Sequence, residues 1–412
     1  MILSLRLWLY GAATLALAGA ITVAQAATAV RFTIAEYSSK TGPFYEEAAA
    51  AFEKANPDID IQLEVVPWDV LLQKLTTDIA GNANADIAII GTRWLIDFVE
   101  QGIVEPLDHY ITDDFRGRFI DTFLTPSVLK GKTYGLPVAA SARAMYYNKE
   151  LFAKAGIQAP PATWAETVEA ARKISALGGD VHGFGLQGKE IETDVYFYYA
   201  LWSFGGNIIG ADGKSGIASD AAIQAAQLYK MMIDEKLTQP GVTANTREDV
   251  QNLFKKGQIG MMITAPFLAS QIKEQAPKLQ YGIIPVPKGT QSATYGVTDS
   301  IILFANSKVK AESWKFLDFI FQQEWRSKFD KNEGFLPVTK AVAAEPYFTD
   351  SEDLKAFAQV LPHAHFAPTI AGWEEVADAT VRAMQRIYLG EADPKTALEA
   401  AADEANKVLA RK

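Results

Sequence analysis

Residues 131–157 read GKTYGLPVAASARAMYYNKELFAKAGI, and no other stretch limits the possible folds as much. It starts at a turn-like Gly131-Lys132 and passes through Tyr134-Gly135-Leu136-Pro137 into the small residues Val138, Ala139, Ala140 and Ser141. The spacing then predicts a strand over 144–147 and a short helix from Lys149. Pro137 fixes its own φ and pushes Leu136 towards an extended conformation, so the segment is an ordered crossing and not a loose linker. Such a backbone carries the chain out of one lobe into another, and its small side chains leave room for a ligand between them. The expected class is α/β, with two lobes and a cleft.

At 412 residues the chain is long enough for two lobes, and 49% hydrophobic with 21% charged residues is a globular composition. The net charge of −10 repels phosphate backbones and anionic lipid, and no basic run offsets it, so no nucleic-acid partner is expected. Arg6 precedes an apolar run over 7–23, and Ala24-Gln25-Ala26 offers small residues where a signal peptidase reads. Residues 1–26 are therefore read as a secretory signal cleaved near Ala26, which predicts a soluble periplasmic protein. The absence of cysteine excludes disulfides, thiolate metal sites and a lipid-attachment cysteine.

Three βα units come first. Val30, Phe32 and Ile34 alternate, as do Ile59, Ile61, Leu63 and Val65, while 85–90 is a continuous apolar run suited to a strand buried on both faces. Each ends in a polar loop, at 37–43, 67–69 and 91–94. In a parallel sheet these carboxyl-end loops point at one place. Beyond the crossing, a helix over 162–176 starts at Thr163 with Glu166 in capping-box register. An aromatic helix over 194–204 follows, then helices over 220–234 and 246–256 and strands over 259–263 and 281–286. A strand over 296–305 returns to the first lobe, with Thr298, Asp299 and Ser300 at the interface. The resulting division is 27–137 plus 297–345 for one lobe and 138–296 plus 346–412 for the other.

Gly183-Phe184-Gly185-Leu186-Gln187-Gly188 fits G-x-G-x-x-G, but the strand lies between its first two glycines, which is the wrong context for a dinucleotide. His363 and His365 lack a carboxylate at helical spacing, and there is no H-E-x-x-H, G-x-S-x-G or Walker sequence. No metal, cofactor or catalytic group is expected. What remains is carboxylates and aromatics at predicted loop tips: Asp69, Asp86, Asp194 and Asp299, with Tyr37, Trp68, Trp94, Tyr196, Phe267 and Trp373. Sugars call for this pairing, since flat rings cover their CH faces while carboxylates and hydroxyls bond their hydroxyl groups in fixed directions. Lys40, Arg93, Arg143 and Lys189 lie nearby; they neutralise the acids or bond sugar hydroxyls, or else they mark an anionic ligand such as a sugar acid.

The order of short motifs carries a family resemblance. F-E-K-A-N-P-D-I-D-I from Phe52, A-D-I-A-I-I from Ala85, G-K-T-Y-G-L-P-V from Gly131, Y-Y-N-K from Tyr146, G-Q-I-G-M-M-I from Gly257 and N-S-K from Asn306 stand in sequence over the mature chain. Together they resemble the extracellular solute-binding proteins of carbohydrate ABC importers, the family of maltose-, trehalose- and polyol-binding proteins. The resemblance implies the two-lobe type II periplasmic-binding fold, a mono- or oligosaccharide or sugar derivative in the cleft, and hinge closure recognised by membrane permease subunits. It also implies a monomer with no catalysis of its own. By position, Tyr37, Ser38, Ser39 and Lys40 match a loop that holds ligand polar groups, and Asp194 with Tyr196 matches an acidic-then-aromatic pair. Phe267 and Trp373 match stacking tryptophans. Arg93 stands where maltose-binding relatives are often acidic, and Ser141 where they place a carboxylate; with Phe267, these differences point away from maltodextrins. The expected ligand set is completed by Trp68, Asp69, Arg143, Thr298, Asp299 and Ser300. A secreted glycoside hydrolase using two of the aspartates, and a binder of a non-sugar solute such as a polyamine or opine, are the alternatives.

Overall fold

The computed structural model describes residues 27–189 and 192–411, so the signal segment 1–26 lies outside the described residues. Its strands are β1 (Thr28–Glu36), β2 (Ile59–Pro67), β3 (Ile87–Gly91), β4 (Val128–Leu129), β5 (Lys132–Thr133), β6 (Leu136–Ala142), β7 (Ala144–Asn148), β8 (His182–Gly185), β9 (Ile259–Thr264), β10 (Tyr281–Ile284), β11 (Thr294–Leu303) and β12 (Ala364–His365). One six-stranded sheet has the order β12-β11-β3-β1-β2, with β6 also on β11. As the βα pattern predicts, β1 pairs in parallel with β2 and β3. β3 is buried along its whole length, which is why it reads as an unbroken apolar run. Val30, Phe32, Ile34, Ile89 and Ile301 form the core of this lobe with Phe44, Tyr45, Phe316 and Phe329 from the flanking helices.

A second sheet, β10-β7-β9-β8, carries the other lobe. The helix Thr193–Ser203 is buried at every position, as a helix apolar all round must be. Helices Asp220–Asp234 and Trp373–Tyr388 contribute to the same core. The capping box at Thr163 forms, with Thr163 Oγ1 accepting from Glu166 N and a Glu166 carboxylate oxygen accepting from Thr163 N. Thr163→Ala is expected to cost about 1 kcal/mol of stability in chemical denaturation. Gly183 is a packing glycine: a Cβ there would lie 2.3 Å from Ala171 Cα, so the G-x-G-x-x-G stretch serves close helix-strand contact.

The crossing is double. β6 lies antiparallel to β11 from Gly296↔Ala142 to Ile301↔Leu136, and the chain switches sheets at Arg143 to become β7. Arg143 N donates to Thr294 Oγ1 at 3.1 Å, and that hydroxyl donates to Arg143 O at 2.6 Å, which fixes the two strands where they pass between the lobes. Among the described residues no helix is long and apolar enough to cross a membrane.

Candidate functional site

The loops after β1, β2 and β3 meet. Tyr37 follows β1, Trp68 opens the helix after β2, and Arg93 and Trp94 follow β3. Their rings overlap in a row: Tyr37 and Trp68 are 6.0 Å apart at 29°, and Trp68 and Trp94 are 5.3 Å apart at 25°. β11 supplies the floor, with Asp299 in register with Gly91. Asp299 Oδ2 accepts from Tyr37 Oη at 3.0 Å, while Oδ1, although buried, has no protein partner. Trp94 Nε1 and Tyr295 Oη in the same lining are also buried and unpartnered. Buried polar atoms seldom stay unsatisfied, so three around one space suit a guest that supplies the missing bonds. Glu192, Val195 and residues 366–369 form the facing wall, and the space between measures about 60 Å³.

Charged contacts tie the walls together. Arg93 Nε donates to Glu374 Oε1 at 2.6 Å and Nη2 to Oε2 at 3.0 Å, and Nη1 lies 3.1 Å from Asp194 Oδ2. Gly372 N donates to Asp97 Oδ1 at 2.7 Å. Lys40 pairs with Glu274. Glu192 accepts from Arg143 and Arg247. Burial pushes Glu192 up, but Arg247, Arg143 and Arg93 together outweigh it and hold the carboxyl below its ordinary range. Burial raises Asp194 to about 7 against the pull of Arg93. It also raises Asp299 to about 7, opposed by the Tyr37 hydroxyl.

Of the sequence-predicted residues, Trp68, Arg93, Thr298 and Asp299 line the cleft, and Tyr37 reaches it through Asp299. Several others have different work. Tyr196 is buried in the lobe core beside Tyr199, its carbonyl accepting from Tyr229 Oη. Trp373 is fully buried, packed on Tyr198 with Arg93 Cζ 5.7 Å from its ring centre, so no face is open for stacking. Asp194 is taken by Arg93 and by Val195 N. Ser141 Oγ accepts from Arg143 Nη1, and Ser300 Oγ bonds the Thr92 and Ser127 hydroxyls in the interior. Ser38 Oγ accepts from Lys40 N, which tightens the loop, while Ser39 and Asp69 are exposed. Phe267 is half-buried between Arg247 and Phe335. Asp86 lies before β3, at the end away from the cleft, where it accepts from Arg31 N and Ser307 Oγ. Glu192, Tyr295, Phe366 and Glu374 join the site with no pattern of their own in the sequence, although Glu192 and Glu374 stand within two residues of Asp194 and Trp373.

Two α/β lobes, joined by paired crossing strands and presenting polar and aromatic strand tips to a shared gap, define a solute-binding protein. The family model of bacterial extracellular solute-binding proteins matches residues 37–326, and the chain belongs to that family. It is 63% identical over 399 residues to a putative binding protein of Brucella abortus (strain 2308), an alignment covering 95% of this chain and 97% of that one. It is 26% identical to the maltotriose-binding protein of Pyrococcus abyssi, over 79% of this chain and 70% of that one. An ABC transporter solute-binding protein from Thermotoga lettingae, solved with α-D-tagatose, superposes with a TM-score of 0.86 at 22% identity, over 93% of this chain and 100% of that chain.

Proposed function

We propose that this chain binds a carbohydrate in the interlobe cleft and delivers it to the permease of an ABC importer, acting outside the cytoplasmic membrane as a monomer without catalysis. The lobes are 27–137 plus 297–345 and 138–296 plus 346–412, with β6 and the start of β11 as the shared hinge pair. The observation that carries the reading is the row Tyr37-Trp68-Trp94 beside a buried carboxylate oxygen with no protein partner. Ring edges and faces suit the CH surface of a sugar, and Asp299 Oδ1 suits a hydroxyl donor. The names of the Pyrococcus and Thermotoga relatives agree with this. Ligand bridging both walls stabilises the closed form, which the permease recognises.

A thermal-shift screen of sugars, sugar alcohols and sugar acids tests the reading. The bound guest at a hundred times its Kd stabilises the fold by about 2.7 kcal/mol. Trp68→Ala abolishes that shift while its melting without ligand stays near wild type, because Trp68 is partly exposed. A shift with a polyamine or opine, and with no carbohydrate, would overturn the assignment.

A further inference from the structure

We propose that Arg93 sets the length of ligand this cleft accepts, and that the guest is a single neutral sugar ring or a sugar alcohol of that size. The inference rests on the carbohydrate reading above. The aromatic row gives the cleft an axis, and both of its ends are tied. At the Trp94 end, the adjacent Arg93 spans the gap to Glu374 and Asp194, and Gly372 N donates to Asp97. At the Tyr37 end, Phe335 lies 4.9 Å from the Tyr37 ring and 6.1 Å from Phe267 of the opposite lobe. Gly334 makes this approach possible, since at φ 76° a Cβ would fall 2.6 Å from Ser270 Oγ and 3.2 Å from Phe267 Cα.

Beside the Arg93 tie lies a space of about 60 Å³, lined by Trp68, Trp94, Tyr295 and Asp299 among others, room for a few water molecules. Trp94, Tyr295 and Asp299, each with a buried atom that has no protein partner, all line that one space. A second ring would have to break a tie: at one end a bidentate guanidinium-carboxylate pair that is largely buried, at the other a contact of packed rings. The charges argue that the guest is neutral. Arg93 is matched by Glu374 and Asp194, and Arg143 and Arg247 share Glu192. Asp299 adds a carboxyl that faces the guest, so a sugar acid would meet negative charge without an uncommitted arginine of this group to receive it.

Calorimetric titration of the mature protein with glucose, galactose, fructose and mannitol, then maltose, trehalose and maltotriose, then glucuronate, tests this in wild type, Arg93→Ala and Glu374→Gln. Wild type is expected to bind at least one hexose or hexitol about tenfold or more tighter than any disaccharide, trisaccharide or uronate. Both variants are expected to shift the disaccharide-to-hexose affinity ratio towards the disaccharide, by about tenfold for Arg93→Ala. Glu374→Gln keeps Arg93 beside Asp194, so it carries the test if Arg93→Ala folds poorly, and a ratio of affinities does not move through loss of folded protein. Tighter binding of maltotriose than of every hexose, or ratios unchanged in both variants, would overturn this inference and leave the carbohydrate reading standing. No response to any probe would remove both.

Discussion

Arg326→Met lowers the unfolding free energy by about 3–5 kcal/mol at pH 8, the cost of leaving a buried charge without its partner. Arg326 and Asp330 are 1% and 0% exposed, on the helix Gln323–Glu333. Arg326 Nη2 donates to Asp330 Oδ1 at 2.6 Å and also to the carbonyl of Val138 on β6. The guanidinium lies over Phe329 at 4.7 Å and Phe321 at 5.3 Å, so an apolar replacement keeps much of the packing and the loss is electrostatic. Burial already raises Asp330 to about 7 with Arg326 in place, and methionine in its stead drives the carboxyl further up. A neutral Asp330 needs no cation, so the defect shrinks as pH falls towards about 7 and levels off below it, which urea titrations at pH 5 and pH 8 will resolve. The double variant Arg326→Met/Asp330→Leu recovers most of the loss, because an isosteric apolar pair is about as good as a buried ion pair. What stays lost is the donor to Val138 O, about 1–3 kcal/mol for an unsatisfied buried carbonyl. A single variant as stable as wild type at pH 8 would refute the account. The pair also anchors the crossing strand β6, to which Val138 belongs.

The elements that could be read from sequence are those whose signal is local. Strands β1 and β2 show in a period of two, β3 in a continuous apolar run, the Thr163 helix start in four residues, and the crossing in Leu136-Pro137 followed by small side chains. Trp68, Arg93 and Asp299 could be placed because strand ends of a parallel sheet share one side. Several of the residues that lie away from the cleft, Asp194, Tyr196, Trp373, Ser141 and Ser300, sit on helices and in the crossing strands. Thr193–Ser203 has no polar face, so nothing in its sequence says whether Tyr196 looks into the cleft or the core. Trp373 opens a helix, as a cleft residue would, yet its ring turns inward beneath Arg93. Ser300 adjoins Asp299 in sequence, but neighbours on a strand face opposite sides. The Arg93-Glu374 tie joins residues 281 positions apart, and no local pattern encodes a contact between segments so distant in the chain.

Asp299→Asn gives a protein that is more stable than wild type at pH 8 and binds its sugar about tenfold to a hundredfold more weakly, the worth of one or two hydrogen bonds to a charged acceptor. Asp299 is 5% exposed and its carboxyl is raised to about 7, first by burial, with the Tyr37 hydroxyl pulling the other way. The folded form therefore holds a proton that the unfolded chain releases near pH 4. Stability from this group is full below about pH 4 and is lost as pH rises through about 7. The amide has no such charge to bury, so the gain of Asp299→Asn over wild type grows across that window and levels off above it. Binding has the opposite slope. A sugar hydroxyl donating to Oδ1 favours the ionised carboxylate, so wild-type affinity rises with pH through about 7, at most tenfold per unit, and complex formation releases a proton. Asp194 titrates in the same range, and the difference between wild type and Asp299→Asn isolates the Asp299 part. Calorimetry at pH 6 and pH 8 in buffers of different ionisation enthalpy measures the released proton directly. An Asp299→Asn protein that binds as tightly as wild type, with the same proton release, would show that the unpartnered oxygen does not meet the ligand. The expected outcome is a site that trades stability for recognition: the chain buries a carboxylate at a cost in the empty protein because only the guest completes its hydrogen bonds.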